Sequence, residues 1–326
     1  MNVLVTGGAG YVGSVVTAEL LKEGHKVIVL DNLQQGHKEA VSPPTEFISA
    51  DICDVQSLDE VFRHAKIDAV MHMAAETAME YSITDPKRCF QTNIVGGINL
   101  LNAMDKYGVY KVVFSSSAAV YGEPHSIPIE EDHPKNPINS YGESKLMFEH
   151  ILAWYWRAYG VKYISLRYFN AAGATKFLGE DHRPETHLIP NVLKAAWQKN
   201  NPVCIFGTDY PTKDGSCIRD YVHVVDIARA HILAMERLEN LSGRVYNLGN
   251  GKGYSVLEVV KAAEEVTRSE IPVKFCPRRP GDPASLVASS GRARQELGWE
   301  PQVPELDRIV DSAWQWLREH PTGYEQ

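Results

Sequence analysis

The N-terminal run Val3-Leu4-Val5-Thr6-Gly7-Gly8-Ala9-Gly10-Tyr11-Val12-Gly13 restricts this chain more than any other stretch. Residues 2–6 read as a buried strand, the glycines as a tight turn, and residues 15–22 as a helix. In that order they form a phosphate site, because glycine lets the backbone approach a pyrophosphate and a helix N-terminus supplies unpaired N–H groups. Both Gly8-x-Gly10-x-x-Gly13 and Gly7-x-x-Gly10-x-x-Gly13 fit. A glycine triplet alone is equally consistent with an ordinary turn, so its context decides. Residues 26–30 form a second strand ending at Asp31, close to the roughly 20-residue offset at which an acid meets an adenosine ribose. A carboxylate there repels a 2′-phosphate, which selects NAD over NADP.

Further strands at residues 46–49, 68–73, 110–114 and 162–167 alternate with helical stretches. The pattern predicts an α/β fold, a Rossmann-type doubly wound parallel sheet with right-handed crossovers. Ligands of such sheets lie beyond the carboxyl ends of the strands, here Asp31, Asp51, Ala74 and the run Ser115-Ser116-Ser117. His72 sits near the same edge and reads as structural. Past Tyr168-Phe169-Asn170 the alternation fails. We expect an NAD-binding domain over residues 1–169, rejoined by segments near 218–240, and a smaller C-terminal α/β domain over 170–326 that binds substrate.

Tyr141 and Lys145 stand four residues apart at the start of a predicted helix, and so on one face. A cation beside a phenol lowers its pKa from about 10, making a general base for an alcohol. In isolation the pair would read as surface residues. Following a glycine turn, an acid and a serine-lined strand end, it reads as chemistry, with one serine holding a substrate hydroxyl. Ser140 and Glu143 fit a capping box that starts the helix at Tyr141. From Met147 to Tyr159 the helix is apolar on more than one side, and the sheet accounts for one side only. That predicts a homodimer through helices near 87–107 and 141–159, the alternative being cover from the smaller domain. Gly96-Gly97 in the first of these helices marks close packing.

With 44% hydrophobic and 23% charged residues, and no apolar run of the roughly 20 residues that a span requires, the chain reads as soluble without a membrane partner. Met1-Asn2 leads straight into the first strand, leaving no room for a signal peptide, so a cytoplasmic location is expected. A net charge of -8 argues against nucleic acid as a partner. Five cysteines without a Cys-x-x-Cys pair predict buried small hydrophobes and no disulfide framework. Twelve histidines without a His-Glu-x-x-His spacing predict no metal site. Arg219 and Arg279 are candidates for phosphate oxygens.

These motifs are joined by Leu166-Arg167-Tyr168-Phe169-Asn170, the runs 207–212 and 219–224, and Arg278-Arg279-Pro280-Gly281-Asp282. Together they resemble the extended short-chain dehydrogenase/reductases, and within them the nucleotide-sugar 4-epimerases, over nearly the whole chain. The glycine turn is shared across that superfamily; the stretch 207–224 is more specific. The resemblance implies Tyr141 as the base, Lys145 as the residue that tunes it and binds the nicotinamide ribose, and Ser117 as partner of the reacting oxygen. It implies NAD contacts from Gly7, Gly10, Tyr11, Val12, Gly13, Asp31, Asn32, Asp51, Ile52, Met73, Ala74, Ala75, Asn93, Ser115 and Tyr168. It implies a UDP-hexose held by Asn170, His187, Leu188, Phe206, Arg219, Tyr221, Arg279 and Asp282.

The implied activity interconverts UDP-glucose and UDP-galactose by oxidation at C4, turning of the 4-keto sugar about its diphosphate, and return of the hydride with NAD retained. Three departures bear on it. His187 stands where some members have asparagine. Glu76 and Glu80 bring carboxylates toward a pyrophosphate, and either point to solvent or weaken NAD binding. Leu286 fills a position that gates the C2 substituent, which leaves UDP-N-acetylhexosamines open. A 4,6-dehydratase shares the turn and the tyrosine–lysine pair but needs an acid–base pair where Ala118-Ala119 stand. A non-enzymatic NAD-sensing regulator tends to lose the tyrosine or lysine, and both are present.

Overall fold

A computed structural model describes residues 1–77, 85–199, 202–279 and 281–325; Glu80 and Pro280 lie outside them. In β1 (Asn2–Thr6) Val3 and Val5 enter one hydrophobic core, Leu4 the other, and all three are fully buried. With β2 (Lys26–Asp31), β3 (Glu46–Ser49), β4 (Ala69–His72), β5 (Lys111–Ser117) and β6 (Lys162–Tyr168), it joins the strand Arg244–Leu248 in a seven-stranded parallel sheet. The order is Arg244–Leu248, β6, β5, β4, β1, β2, β3. The Tyr11–Lys22 and Val224–Leu241 helices contribute to the Val3 core, and Val55–His64, Gly97–Lys106 and Ser140–Tyr159 to the Leu4 core. Cover on both faces is why these strands read as continuous apolar runs. The order reverses between β1 and β4, the switch point at which doubly wound sheets open a crevice.

A separate core in the C-terminal half gathers Leu193, Ile205, Val259, Ile309 and Val310. There the strands Val203–Phe206 and Val273–Cys276 pair in parallel, and Cys204 is bonded to Cys276. This corrects the expectation of no disulfide: 72 residues separate the two, yet strand pairing holds their Cα atoms 5.9 Å apart, within bridging range. Cys89 and Cys217 are buried, as small hydrophobes should be.

The segments Pro86–Phe90, Gln91–Gly96 and Gly97–Lys106 follow one another as a single helical run, its middle a π-helical stretch. A Cβ added at Gly96 would lie 2.7 Å from Ile52, and one at Gly97 2.3 Å from the Phe148 ring, so both glycines serve close packing. The Ser140–Tyr159 helix is capped by Asn139, whose side chain accepts the Gly142 N–H at 2.8 Å. The predicted capping box at Ser140 is thus one residue late, because asparagine supplies the cap instead. A Cβ at Gly142 would sit 2.4 Å from the Ala119 carbonyl, so the helix start is pressed against the turn that follows Ser117. On the same helix Trp154 is 65% and Tyr159 54% exposed, so the C-terminal half leaves these rings uncovered. Among the described residues no helix is long and apolar enough to cross a membrane.

Candidate active site

A cavity of about 1250 Å³ spans the glycine turn, the ends of β2, β4, β5 and β6, and the C-terminal half. Every residue expected to touch cofactor or substrate lines it except Asn93, Ser115 and Lys145.

At the glycine end, Gly7 has φ of +72°, and a Cβ there would lie 2.6 Å from the Ala74 nitrogen. A Cβ at Gly13 would meet the Gly7 carbonyl at 2.1 Å. The Tyr11–Lys22 helix starts at Gly10 without a side-chain cap, leaving its first N–H groups to a ligand. Asp31 accepts the N–H groups of Ala9 (3.0 Å) and Leu33 (2.8 Å), which ties the acid to the turn; burial nevertheless raises its pKa. Asn32 donates to Asp51 at 2.9 Å. A cradle with no room for a Cβ, an uncapped helix and an acid at the second strand end fit NAD. Gly13→Ala should weaken NAD binding about tenfold or more, the equivalent of about 1.4 kcal/mol. Calorimetric titration of the cofactor-stripped protein checks this.

Glu76 does not point to solvent. It is buried, and its carboxylate accepts Arg88 Nε at 2.6 Å and Gln34 Nε2 at 3.1 Å. The charge is thus neutralised inside the wall. Asn93 does not line the cavity; it holds the backbone of Glu76, which does. Its Oδ1 accepts the Glu76 N–H at 2.7 Å, while Nδ2 donates to the Glu76 carbonyl at 3.1 Å and to Ser144 Oγ at 2.9 Å.

β5 delivers its three serines to three places. Ser115 Oγ pairs with His231 Nε2 at 2.9 Å, and its carbonyl accepts Lys145 Nζ at 2.8 Å. Ser115 therefore positions Lys145 rather than lining the cavity. Ser116 donates to Glu149 at 2.5 Å, and Ser117 lines the cavity with Tyr141. His72 is buried with Nδ1 2.9 Å from Thr6 Oγ1, and burial pushes it down to about 3, which suits a neutral structural histidine.

The Tyr141 phenol is pushed well above its ordinary value by burial, against a smaller lowering from the Ser117 hydroxyl. Lys145 is pushed down to about 8, again by burial. Its ammonium is held by the Ser115 carbonyl, 5.6 Å from the Tyr141 ring centroid. Burial thus sets the direction of the phenol's shift in the protein alone, opposite to the lowering expected from a neighbouring cation.

At the far end Arg219 pairs with Asp282, and the Arg279 guanidinium lies 3.9 Å from the Phe206 ring centroid. Asn170, His187, Leu188, Tyr221 and Leu286 line the wall around them. Beside His187 the structure gathers Glu180, His182 and Glu185. Sequence reasoning passed over these three, although the spacing Glu-x-His-x-x-Glu-x-His was visible.

A parallel sheet with its crevice at the switch point, a glycine cradle, and Ser117, Tyr141 and Lys145 at one strand end define an NAD-dependent enzyme of the short-chain dehydrogenase/reductase type. Residues 3–249 match the NAD dependent epimerase/dehydratase family. The UDP-glucose 4-epimerase of Halalkalibacterium halodurans is 52% identical, over 99% of this chain and 98% of its own. A crystal structure of a UDP-glucose 4-epimerase superposes with a TM-score of 0.97 at 46% identity, covering 100% of both chains. The Bifidobacterium longum UDP-glucose 4-epimerase in complex with NAD+ and UDP superposes with a TM-score of 0.94 at 38% identity, over 99% of this chain and 100% of that one. The chain belongs to the NAD dependent epimerase/dehydratase family.

Proposed function

We propose that this protein interconverts UDP-glucose and UDP-galactose, with NAD as a retained cofactor. The observation that carries the reading is one continuous cavity joining the glycine cradle, Ser117 with Tyr141, and the Arg219–Arg279 corner. Full-length similarity to UDP-glucose 4-epimerases supports it.

NAD, held by the Gly7–Gly13 cradle and Asp31, would supply the hydride acceptor and donor for the sugar's C4. Tyr141 Oη takes the proton of the 4-hydroxyl and later gives it back, while Ser117 Oγ holds that oxygen. Because burial raises the phenol, phenolate formation relies on positive charge gathered in the filled cavity, Lys145 included. Arg219 and Arg279 hold the UDP part while the hexose turns, which places binding energy away from the reacting carbon. Ala118-Ala119 supply no acid–base pair for the elimination of water at that strand end.

Incubation with UDP-galactose, without added cofactor, should yield UDP-glucose; no conversion would sink the reading. A parallel incubation with UDP-N-acetylgalactosamine reports whether Leu286 admits the larger C2 substituent. Lys145→Ala should weaken NAD binding about tenfold to a hundredfold, the worth of a hydrogen bond from a charged group. If only the pH profile moved, Lys145 would not be a ribose contact.

The division into an NAD-binding domain and a UDP-sugar domain is part of the proposal, supported by the separate C-terminal core. So is a homodimer through the helices near 87–107 and 141–159, supported by the exposed Val95, Met147, Trp154 and Tyr159. Sedimentation as a monomer at micromolar concentration would remove it. A cytoplasmic location is part of the same proposal.

A further inference from the structure

The segment between Gly173 and Leu188 carries a set of donors of which the proposed reaction calls on His187 alone, as a substrate contact. Glu180 Oε1 lies 2.7 Å from His187 Nδ1 and 3.1 Å from His182 Nδ1. His187 Nδ1 lies 3.1 Å from Glu185 Oε1, and His182 Nδ1 3.9 Å from Glu185 Oε2. One atom from each residue falls within 4.8 Å of all the others. Donors around a tetrahedral ion with bonds of about 2.0–2.1 Å stand about 3.3–3.4 Å apart, so small side-chain shifts close the shell.

A second observation points the same way. The Glu185 side chain is 4% exposed, and its Oε2 is buried with no hydrogen-bond partner. A buried carboxylate oxygen without a hydrogen bond is costly and calls for a ligand. It is also fixed in place: Oε1 accepts the N–H groups of Thr186 and His187, each at 2.8 Å.

We propose that Glu180, His182, Glu185 and His187 bind one divalent transition-metal cation, zinc by their donor chemistry. Two imidazoles with two carboxylates suit zinc, whereas calcium and magnesium prefer six or more oxygens. This departs from the expectation of no metal, which rested on helical ligand spacings. Four protein donors close the coordination, which makes the role structural. The ion would brace this segment where it meets the NAD side of the cavity. Tyr11 of the glycine turn donates to the Gly173 carbonyl at 2.5 Å and sets its ring edge-on to His182, while His37 Nε2 lies 2.8 Å from the Asp181 carbonyl. The competing account is a set of ion pairs between histidinium and carboxylate.

The test uses purified full-length protein, stripped with a chelator and titrated with Zn2+ alone, with Mg2+ as comparator. Expected are one tightly held zinc per chain, nitrogen and oxygen neighbours in the X-ray absorption spectrum, and a higher unfolding temperature with zinc than with magnesium. Glu185→Gln keeps an amide oxygen for the two backbone N–H groups and removes the charged ligand; it should weaken zinc binding at least about tenfold, as loss of one ligand-shell partner does. His182→Ala should do the same, and either variant suffices should the other fail to fold. Less than a tenth of an equivalent retained, sulfur neighbours, or unchanged affinity in the folded variants would each overturn the site. None of these readouts depends on epimerase activity.

Discussion

Tyr141→Phe is expected to lower turnover by about 10²–10⁴-fold, the usual worth of a positioned general base, while NAD stays bound. The variant removes one oxygen and leaves the ring in the cavity wall, so the cradle at Gly7 and Gly13 is untouched. Two titratable neighbours of that strand end are already engaged. His72 is turned to Thr6, and the Lys145 ammonium is held by the Ser115 carbonyl. Cofactor content after denaturation and kcat on UDP-galactose separate the two effects. Activity within tenfold of the parent would remove Tyr141 as the base; loss of NAD together with activity would make it a binding residue instead.

The second large effect is on stability. Arg167 is 3% and Glu149 5% exposed, and they meet through two contacts, Nε to Oε1 at 2.9 Å and Nη2 to Oε2 at 2.5 Å. Arg167 Nη1 also donates to the Tyr121 hydroxyl at 2.8 Å, which donates in turn to Asn247 at 2.7 Å. Ser116 completes the Glu149 shell, so this buried pair lies directly behind the serine strand. Arg167→Met should cost about 3–5 kcal/mol, because it strands a buried carboxylate. Arg167→Met combined with Glu149→Met should recover much of that, since an apolar pair of similar volume needs no compensation. Urea unfolding of both variants decides it. A double variant no more stable than the single one would mean that the loss lies in Tyr121 and Asn247.

The divergence between Tyr141 as read from sequence and as found in the fold is instructive. Four-residue spacing does put Tyr141 and Lys145 on one helical face. It cannot say that the lysine will turn to a carbonyl of β5, or that both groups will lose water. Those are consequences of where the helix lands, and Gly142 against Ala119 decides that. Glu76 shows the same limit: its partner Arg88 is twelve residues on, across a stretch whose path sequence reasoning does not supply.

The sequence by itself determined what is encoded within a few residues. The strand–glycine–helix start, the acid ending β2, the alternating elements and the serine, tyrosine and lysine of the site all follow from local periodicity and from the conformations that particular side chains forbid. The tertiary structure decided whatever depends on distant segments meeting or on loss of solvent. It bonded Cys204 to Cys276, buried Arg167 with Glu149, and set the Glu185 carboxylate beside two histidines. It also raised the Tyr141 phenol rather than lowering it. Contacts between remote segments and the desolvation of charge are properties of the packed chain, and no short stretch of sequence carries them.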